Sequence, residues 1–454
     1  MSERRIILRH AGTVLVGQLA VMAFGLTDTW VAARYADTAL AALSVASATY
    51  ITVHISLMGI LQGLLPIWAE LHGAQRHVAL GRSVRQALYV WLLTSAIAVA
   101  VLLSPGPLLG WTGVPEALQA PVREYLAIVA ISAPASLLFR LYGTLNQALG
   151  RPKLVTWLQV AALGVKVPLS LGLVLGWPGW WDGLGLAGCA WATVIVHLLM
   201  LGMAAWMLRH GEVYRDMQLW RRPEAPHGPT LRSFLRLGVP SGLTVAVEVT
   251  SFTLVALFVA RLGVVASASH QIMANMAACL YMLPLSLSIA ASARISHWLG
   301  AGQPARARDS LHTGLGLVLA GSGCMALLVW FTRAGIAAFY TPSPLVLPVA
   351  TELLGWLALY HCVDGVQVFL VFALRSYRIT VRPLLTYSLL LWGVGLAGGY
   401  ALAYHSPDAV TAWGLARLSP LSFWQTAMLA MALTSLVLAP LLWRRSQAAR
   451  LPAA

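Results

Sequence analysis

Four charged side chains stand inside long apolar runs of this 454-residue chain: Asp28, Lys166, Glu248 and Asp364. An ion in hydrocarbon is costly, so such a residue commonly faces a cavity, a counter-charge or a transported ion. Glu248 lies 12 residues beyond Arg236, about 18 Å along a helix and close to mid-bilayer depth. Thr244 at i−4 and Ser251 at i+3 place it on one polar stripe. Asp364 has the same setting, with Tyr360 at i−4, His361 at i−3 and Gln367 at i+3. Two such stripes supply hard oxygen ligands for a sodium ion or hold a transferable proton, and structural carboxylates tied between helices are the plainer alternative. Ser267, Gln271 and Asn275 follow at i+4 steps, a pattern that serves as interhelical glue as readily as it serves a ligand.

In the first half of the chain, Asp28 is the one carboxylate deep in an apolar run. Lys166 shares a face with Gln159 and Ser170 and adjoins Pro168, which is expected to kink the helix and free a carbonyl. A lysine at that depth calls for a counter-charge, and Asp28 is the nearest deep acid in the same half; snorkelling or a neutral amine is the alternative. His54, His197 and His270 lack ligand spacing and read as packed core histidines, while Arg140, Arg261 and Arg294 read as snorkelling residues near span ends. The chain carries no P-loop, GxSxG or other enzyme motif. Its four cysteines form neither a CxxC pair nor a disulfide framework. These features indicate a protein that is not an enzyme and needs no cofactor.

The elements that must hold these residues follow from composition. The chain is 59% hydrophobic and 10% charged, against roughly 25% charged in a soluble domain. That excludes a soluble enzyme and disorder alike. Apolar runs fall at about 11–34, 40–70, 84–110, 122–146, 154–177, 184–208, 235–261, 264–298, 311–336, 347–374, 383–404 and 422–443, each long enough to cross a bilayer. Pro and Gly break the chain after Ser104, Trp177 and Thr341. The basic N-terminus leads into the first run with no cleavage site at signal-peptide distance, so that run is read as a retained span.

Of the 30 Lys and Arg, 23 fall on the side of both termini, and Arg34, Arg123, Arg261, Arg333 and Arg417 fall on the other. The positive-inside rule therefore places both termini in the cytoplasm, in a multi-pass protein of the cell membrane, with the bacterial inner membrane as the expected one. Trp111, Trp177, Trp180, Trp181 and Trp413 suit the outer interfacial belt, and Trp220, Trp298 and Trp443 the inner one. The net charge of +15 is dispersed through alternate loops, which is not the pattern of a nucleic-acid interface.

An internal repeat divides the chain. AELHGAQRHVALGRS, ending at Ser83, corresponds to SHWLGAGQPARARDS, ending at Ser310, a shift of 227 residues, and GRPK around Pro152 corresponds to VRPL around Pro383. The expected organisation is a first lobe over 1–208, a basic linker over 209–234 and a second lobe over 235–454. Six helices per copy give both lobes one topology, related by an axis along the membrane normal.

Laid out this way, the sequence resembles the multidrug and toxic compound extrusion (MATE) family, in its NorM-like branch. The resemblance rests on GLTDTWVAARYADTALAALSVAS around Asp28, VEVTSF around Glu248, the run from Ala268 that begins ASHQIMANMAACLYMLPLSLS, and YHCVDGVQ from Tyr360 to Gln367. It implies an all-α, twelve-helix, two-lobe carrier, a monomer in the lipid bilayer. Such a carrier exports amphipathic, often cationic small molecules in exchange for sodium ions or protons. It also implies a second-lobe cation site at Glu248, Asp364 and Tyr360, and a first-lobe coupling carboxylate at Asp28 with Ser170 and Thr193 near it. Lys166, Gln271, Asn275 and Gln367 join Ser170 and Thr193 as expected cavity residues. The departure is Lys166: where the branch has asparagine in N-x-P-x-N, this chain reads Lys166-Val-Pro168-Leu-Ser170. An ammonium there repels a cation from Asp28 and weakens the case for cationic cargo. A flippase for lipid-linked precursors in the same superfamily is the nearest rival, and would be expected to have more spans and a more cationic cavity. A membrane-embedded transferase is the distant rival, and no nucleophile or metal constellation supports it.

Overall fold

Backbone amides cannot remain unpaired in hydrocarbon, so an apolar chain that crosses a bilayer does so as closed helices. The computed structural model describes residues 2–111, 115–177, 181–222, 224–405 and 419–448, and those residues hold twelve helices long and apolar enough to cross a membrane. Spans 1 to 6 are Glu3–Tyr35, Asp37–Gly73, His77–Leu103, Glu116–Ala148, Lys153–Leu175 and Leu186–His210. Spans 7 to 12 are Gly228–Ala260, Val264–Gly300, Pro304–Tyr340, Val346–Ser376, Val381–Tyr404 and Leu421–Ala448. Trp180, Trp413 and Arg417 lie outside the described residues.

Most of the helices are longer than the apolar runs that announce them. Span 1 starts at Glu3 and span 3 at His77, because a helix continues through polar residues once its hydrogen-bond ladder is established. Span 3 stops at Leu103; a separate short helix, Gly106–Trp111, follows Pro105. Pro168 does not end span 5, which remains helical from Lys153 to Leu175. The turn after span 5 contains a two-residue antiparallel hairpin, Gly176–Trp177 with Trp181–Asp182. In span 11 the middle residues Leu390–Ala397 form a π-helix, and the Gly395 carbonyl accepts from Thr426 Oγ1 at 2.7 Å.

The chain separates into two compact units, Thr13–Leu243 and Met1–Gly12 with Thr244–Ala454. The linker expected over 209–234 and the first half of span 7 thus belong to the first unit, and the first turns of span 1 to the second. Side chains explain both assignments. In the first unit, Arg85 on span 3 holds Glu224 with Nε at 3.0 Å from Oε2 and Nη2 at 2.5 Å from Oε1, while Nη1 donates to the Gln218 carbonyl at 2.6 Å. Gln86 donates to the Ala225 carbonyl and accepts from the His227 amide, both at 2.9 Å, and Tyr89 donates to the Glu224 carbonyl at 2.8 Å. Gly81 lets the Met217 backbone lie directly on span 3, where any Cβ would overlap the Met217 carbonyl. Close to the start of span 7, Gly238 meets Gly63 so tightly that a Cβ on Gly63 would stand 2.7 Å from the Gly238 Cα.

In the second unit, Glu3 accepts from Arg294 Nε and Nη2 at 2.7 and 2.9 Å and from Ser310 Oγ at 2.8 Å. Ile7 and Ala11 continue that contact into a core with Leu287, Ala290 and Phe369.

The Arg85 clamp has a testable consequence. The Glu224 carboxyl is held down to about 2, chiefly by the hydrogen bond from Arg85. Its stabilising effect is therefore full above the ordinary carboxylate value of 4.5 and fades only as pH falls towards 2. Arg85→Ala is expected to free the linker at neutral pH, so that trypsin cleaves after Arg221 severalfold faster than in the wild type. Unchanged cleavage would mean that Gln86 and Tyr89 hold the linker without Arg85.

Candidate functional site

The deepest ionic group of the first lobe is a closed pair. Lys166 Nζ lies 2.7 Å from Asp28 Oδ1, with the lysine side chain 1% exposed. The ammonium also donates to Thr193 Oγ1 at 2.7 Å and to the Cys189 carbonyl at 3.2 Å, so its three protons each have an oxygen. Ser170 Oγ donates to Asp28 Oδ1 at 3.3 Å, and Thr193 Oγ1 lies 3.5 Å from Oδ2. Spans 1, 5 and 6 supply these groups, and the helical ladder explains the fit. Ser170 is one turn beyond Lys166, and Thr193 is one turn beyond the Cys189 whose carbonyl it shares with the ammonium. The alternative of a snorkelling lysine gives way to one in contact with Asp28, in a setting where either group alone would be costly to bury.

The second lobe is built the opposite way. Glu248 on span 7 and Asp364 on span 10 act on each other electrostatically, and the Tyr281 hydroxyl of span 8 is a hydrogen-bond partner of Glu248. Tyr360 and Tyr387 lie within range of both carboxylates. Tyr360 is buried and stands edge-on to Trp424, with ring centroids 5.4 Å apart and planes at 88°. Trp424 is fixed in turn by donating to His270 Nδ1 at 3.1 Å. The π-helical stretch of span 11 passes alongside, and Trp392 within it donates to the Val247 carbonyl at 3.3 Å, next to Glu248. The result is two carboxylates that act on each other electrostatically, one of them hydrogen-bonded to Tyr281, with the Tyr360 and Tyr387 rings in the same field. Among the described residues there is no group of three or more His, Cys, Asp or Glu able to hold a metal ion tightly.

The structure thus brings Asp28, Lys166, Ser170 and Thr193 into contact in the first lobe, while in the second Glu248, Asp364 and Tyr360 act on one another electrostatically. Gln367 is buried on span 10. Gln271 and Asn275 are exposed and pair with each other, Gln271 Nε2 donating to Asn275 Oδ1 at 3.1 Å, the interhelical-glue chemistry turned inward on one helix. Tyr281 and Tyr387 were not singled out by the sequence; a tyrosine deep in an apolar run was the available signal, since its hydroxyl must find a partner there. His270 is a packed, hydrogen-bonded histidine as its lack of ligand spacing suggested, whereas His54 and His197 stack on each other, which nothing in their spacing announces.

The MatE family pattern matches residues 14–171 and 240–401, one match in each lobe. A probable multidrug resistance protein NorM of Aromatoleum aromaticum is 37% identical over 431 residues, covering 95% of this chain and 92% of the relative. The multidrug resistance protein PmpM of Pseudomonas aeruginosa is 32% identical over 427 residues, covering 93% and 88%. Among solved structures, the Vibrio cholerae MATE transporter VcmN in its bent form superposes with a TM-score of 0.85 at 17% identity, covering 99% of this chain and 98% of that one. The eukaryotic MATE transporter AtDTX14 superposes equally well at 16% identity, with the same coverage. At those identities the structural likeness speaks for the fold.

Proposed function

Because the chain belongs to the MatE family, we propose that it is a multidrug exporter that moves amphipathic organic compounds out of the cell by alternating access, in exchange for a sodium ion or a proton. The names of the relatives support the cargo class, and the geometry of the second lobe supports the coupling. Two ionised carboxylates that act on each other in a medium of low dielectric repel strongly, and a single bound cation or proton reduces that repulsion. Binding and release of that cation therefore changes the energy of the second lobe in a way that substrate alone cannot, which is what coupling requires.

The single observation that carries this reading is the contrast between the lobes. Asp28 already has a cation in Lys166, whereas Glu248 and Asp364 act on each other electrostatically and neither is in an ion pair among the described residues. Ion coupling accordingly resides at Glu248, Asp364 and Tyr360, with Asp28 held neutral as a pair. The protein acts as a monomer in the bacterial inner membrane, with both termini in the cytoplasm on the basic side of the chain.

Inside-out vesicles with dye added to the medium, given a sodium gradient and a proton gradient separately and scored for dye accumulated inside, test the proposal. One gradient is expected to drive transport and the other not. Transport that ignores both would remove the antiport reading, and transport driven by ATP alone would remove the family-wide reading of a secondary carrier.

A further inference from the structure

Span 12 carries small residues at Ala432, Ser435 and Ala439, three and four positions apart along one helical face. Small side chains leave space beside span 10, and a cleft of about 820 Å³ opens there, bounded by Cys362, Val366 and Pro440 and ending at Trp443 and Arg444. All of its lining residues belong to the second compact unit, and its volume falls in the ligand-sized range of ~300–1,000 Å³. Short of that end, the polar side chains are turned to their own lobe. Ser435 Oγ donates to the Met431 carbonyl at 2.9 Å, and Cys362 Sγ to the Ser322 carbonyl at 3.9 Å. The cleft is therefore an apolar trough with a cation at one end.

Depth and charge decide what fits. Ala432 and Arg444 are 12 residues apart, about 18 Å of helix against ~15 Å for half the hydrocarbon core. The trough therefore runs from mid-bilayer to headgroup level in the leaflet next to the C-terminus, the length of one acyl chain. Trp443 is exposed, as suits an aromatic at headgroup depth. Its ring is braced edge-on by His312 of span 9, with centroids 5.3 Å apart and planes at 71°. Arg444 is exposed and forms no ion pair among the described residues. A guanidinium at the mouth of an apolar trough complements a phosphate, to which its planar fork donates two parallel hydrogen bonds. A cationic amphipath would set like charge against it.

We infer that this cleft is a binding site for an anionic phospholipid, which lays one acyl chain between spans 10 and 12 and sets its phosphate on Arg444. The second lobe thereby selects one kind of lipid from the surrounding bilayer. The inference goes beyond the exporter reading and does not depend on it, since the occupant is a component of the membrane and not the cargo.

Native mass spectrometry of the purified full chain counts the lipids retained after titration with phosphatidylglycerol or with phosphatidylcholine of identical chains. The wild type is expected to keep one phosphatidylglycerol about tenfold more tightly than phosphatidylcholine, the effect of one charge-assisted contact. Arg444→Gln should bring phosphatidylglycerol down to the phosphatidylcholine level. Arg445→Gln, one residue on and outside the cleft, should leave the preference in place. Ala439→Phe, which fills the trough, should weaken retention of both lipids, and glycerol phosphate, a headgroup without a chain, should not compete. Equal retention of the two lipids by the wild type overturns the inference without any variant having to fold. Equal losses from Arg444→Gln and Arg445→Gln would reduce the site to a diffuse basic belt, and unchanged retention by Ala439→Phe would place the chain elsewhere; each overturns it as well. Competition by glycerol phosphate would make this a site for free phosphate, and displacement of the lipid by a cationic dye such as rhodamine 6G would make the trough part of the substrate path, and either result likewise overturns the inference.

Discussion

Lys166→Met is expected to lower the stability of the purified protein by ~3–5 kcal/mol, the usual consequence of stranding one member of a buried ion pair. Asp28 would keep its Ser170 and Thr193 contacts but lose the charge 2.7 Å away that makes its own tolerable. Asp28→Asn alone should destabilise comparably, because it leaves an ammonium sealed among neutral groups. The double variant Asp28→Asn with Lys166→Met should recover most of the loss, since replacing both charges removes the desolvation cost along with the attraction. Thermal denaturation of the four proteins closes a double-mutant cycle, and a contacting pair should show coupling well beyond the roughly 0.5 kcal/mol within which independent sites add. Additive losses would show that the two side chains do not sustain each other, and the first lobe would need another source of neutrality.

Glu248→Gln and Asp364→Asn are each expected to reduce gradient-driven dye export to the level of empty vesicles, with dye binding changed by no more than about twofold. Driving a two-state lobe from one arrangement to the other calls for about 5.5 kcal/mol of differential binding, and a neutral amide cannot draw that from an incoming cation. Tyr360→Phe keeps the ring against Trp424 and removes only the hydroxyl, so it should slow export without abolishing it. Gradient-driven export at wild-type rate by either carboxylate variant would move the coupling site out of the second lobe. Binding lost together with export would make these residues part of the substrate site instead.

What the sequence determined by itself is everything that depends on local chemistry repeated along the chain. Apolar runs separated by Pro, Gly and charge specify twelve helices, because a bilayer leaves the backbone no other way to satisfy its amides. The 227-residue repeat specifies two copies of one lobe. Each deep charge is also conspicuous alone, since hydrocarbon makes Asp28, Lys166, Glu248 and Asp364 stand out whatever surrounds them. Tertiary structure decided which of them meet. Ser170 reaches Asp28 across 142 positions of sequence, and no period in the chain encodes that contact; it follows from how spans 1, 5 and 6 pack. The same holds for the linker, legible in the sequence only as a basic connection, which Arg85, Gln86 and Tyr89 bind to span 3. It holds too for His54 and His197, unremarkable singly and joined only when spans 2 and 6 come together. Burial of a charge is legible in one dimension because its cost is local, whereas its compensation depends on partners that only packing in three dimensions selects.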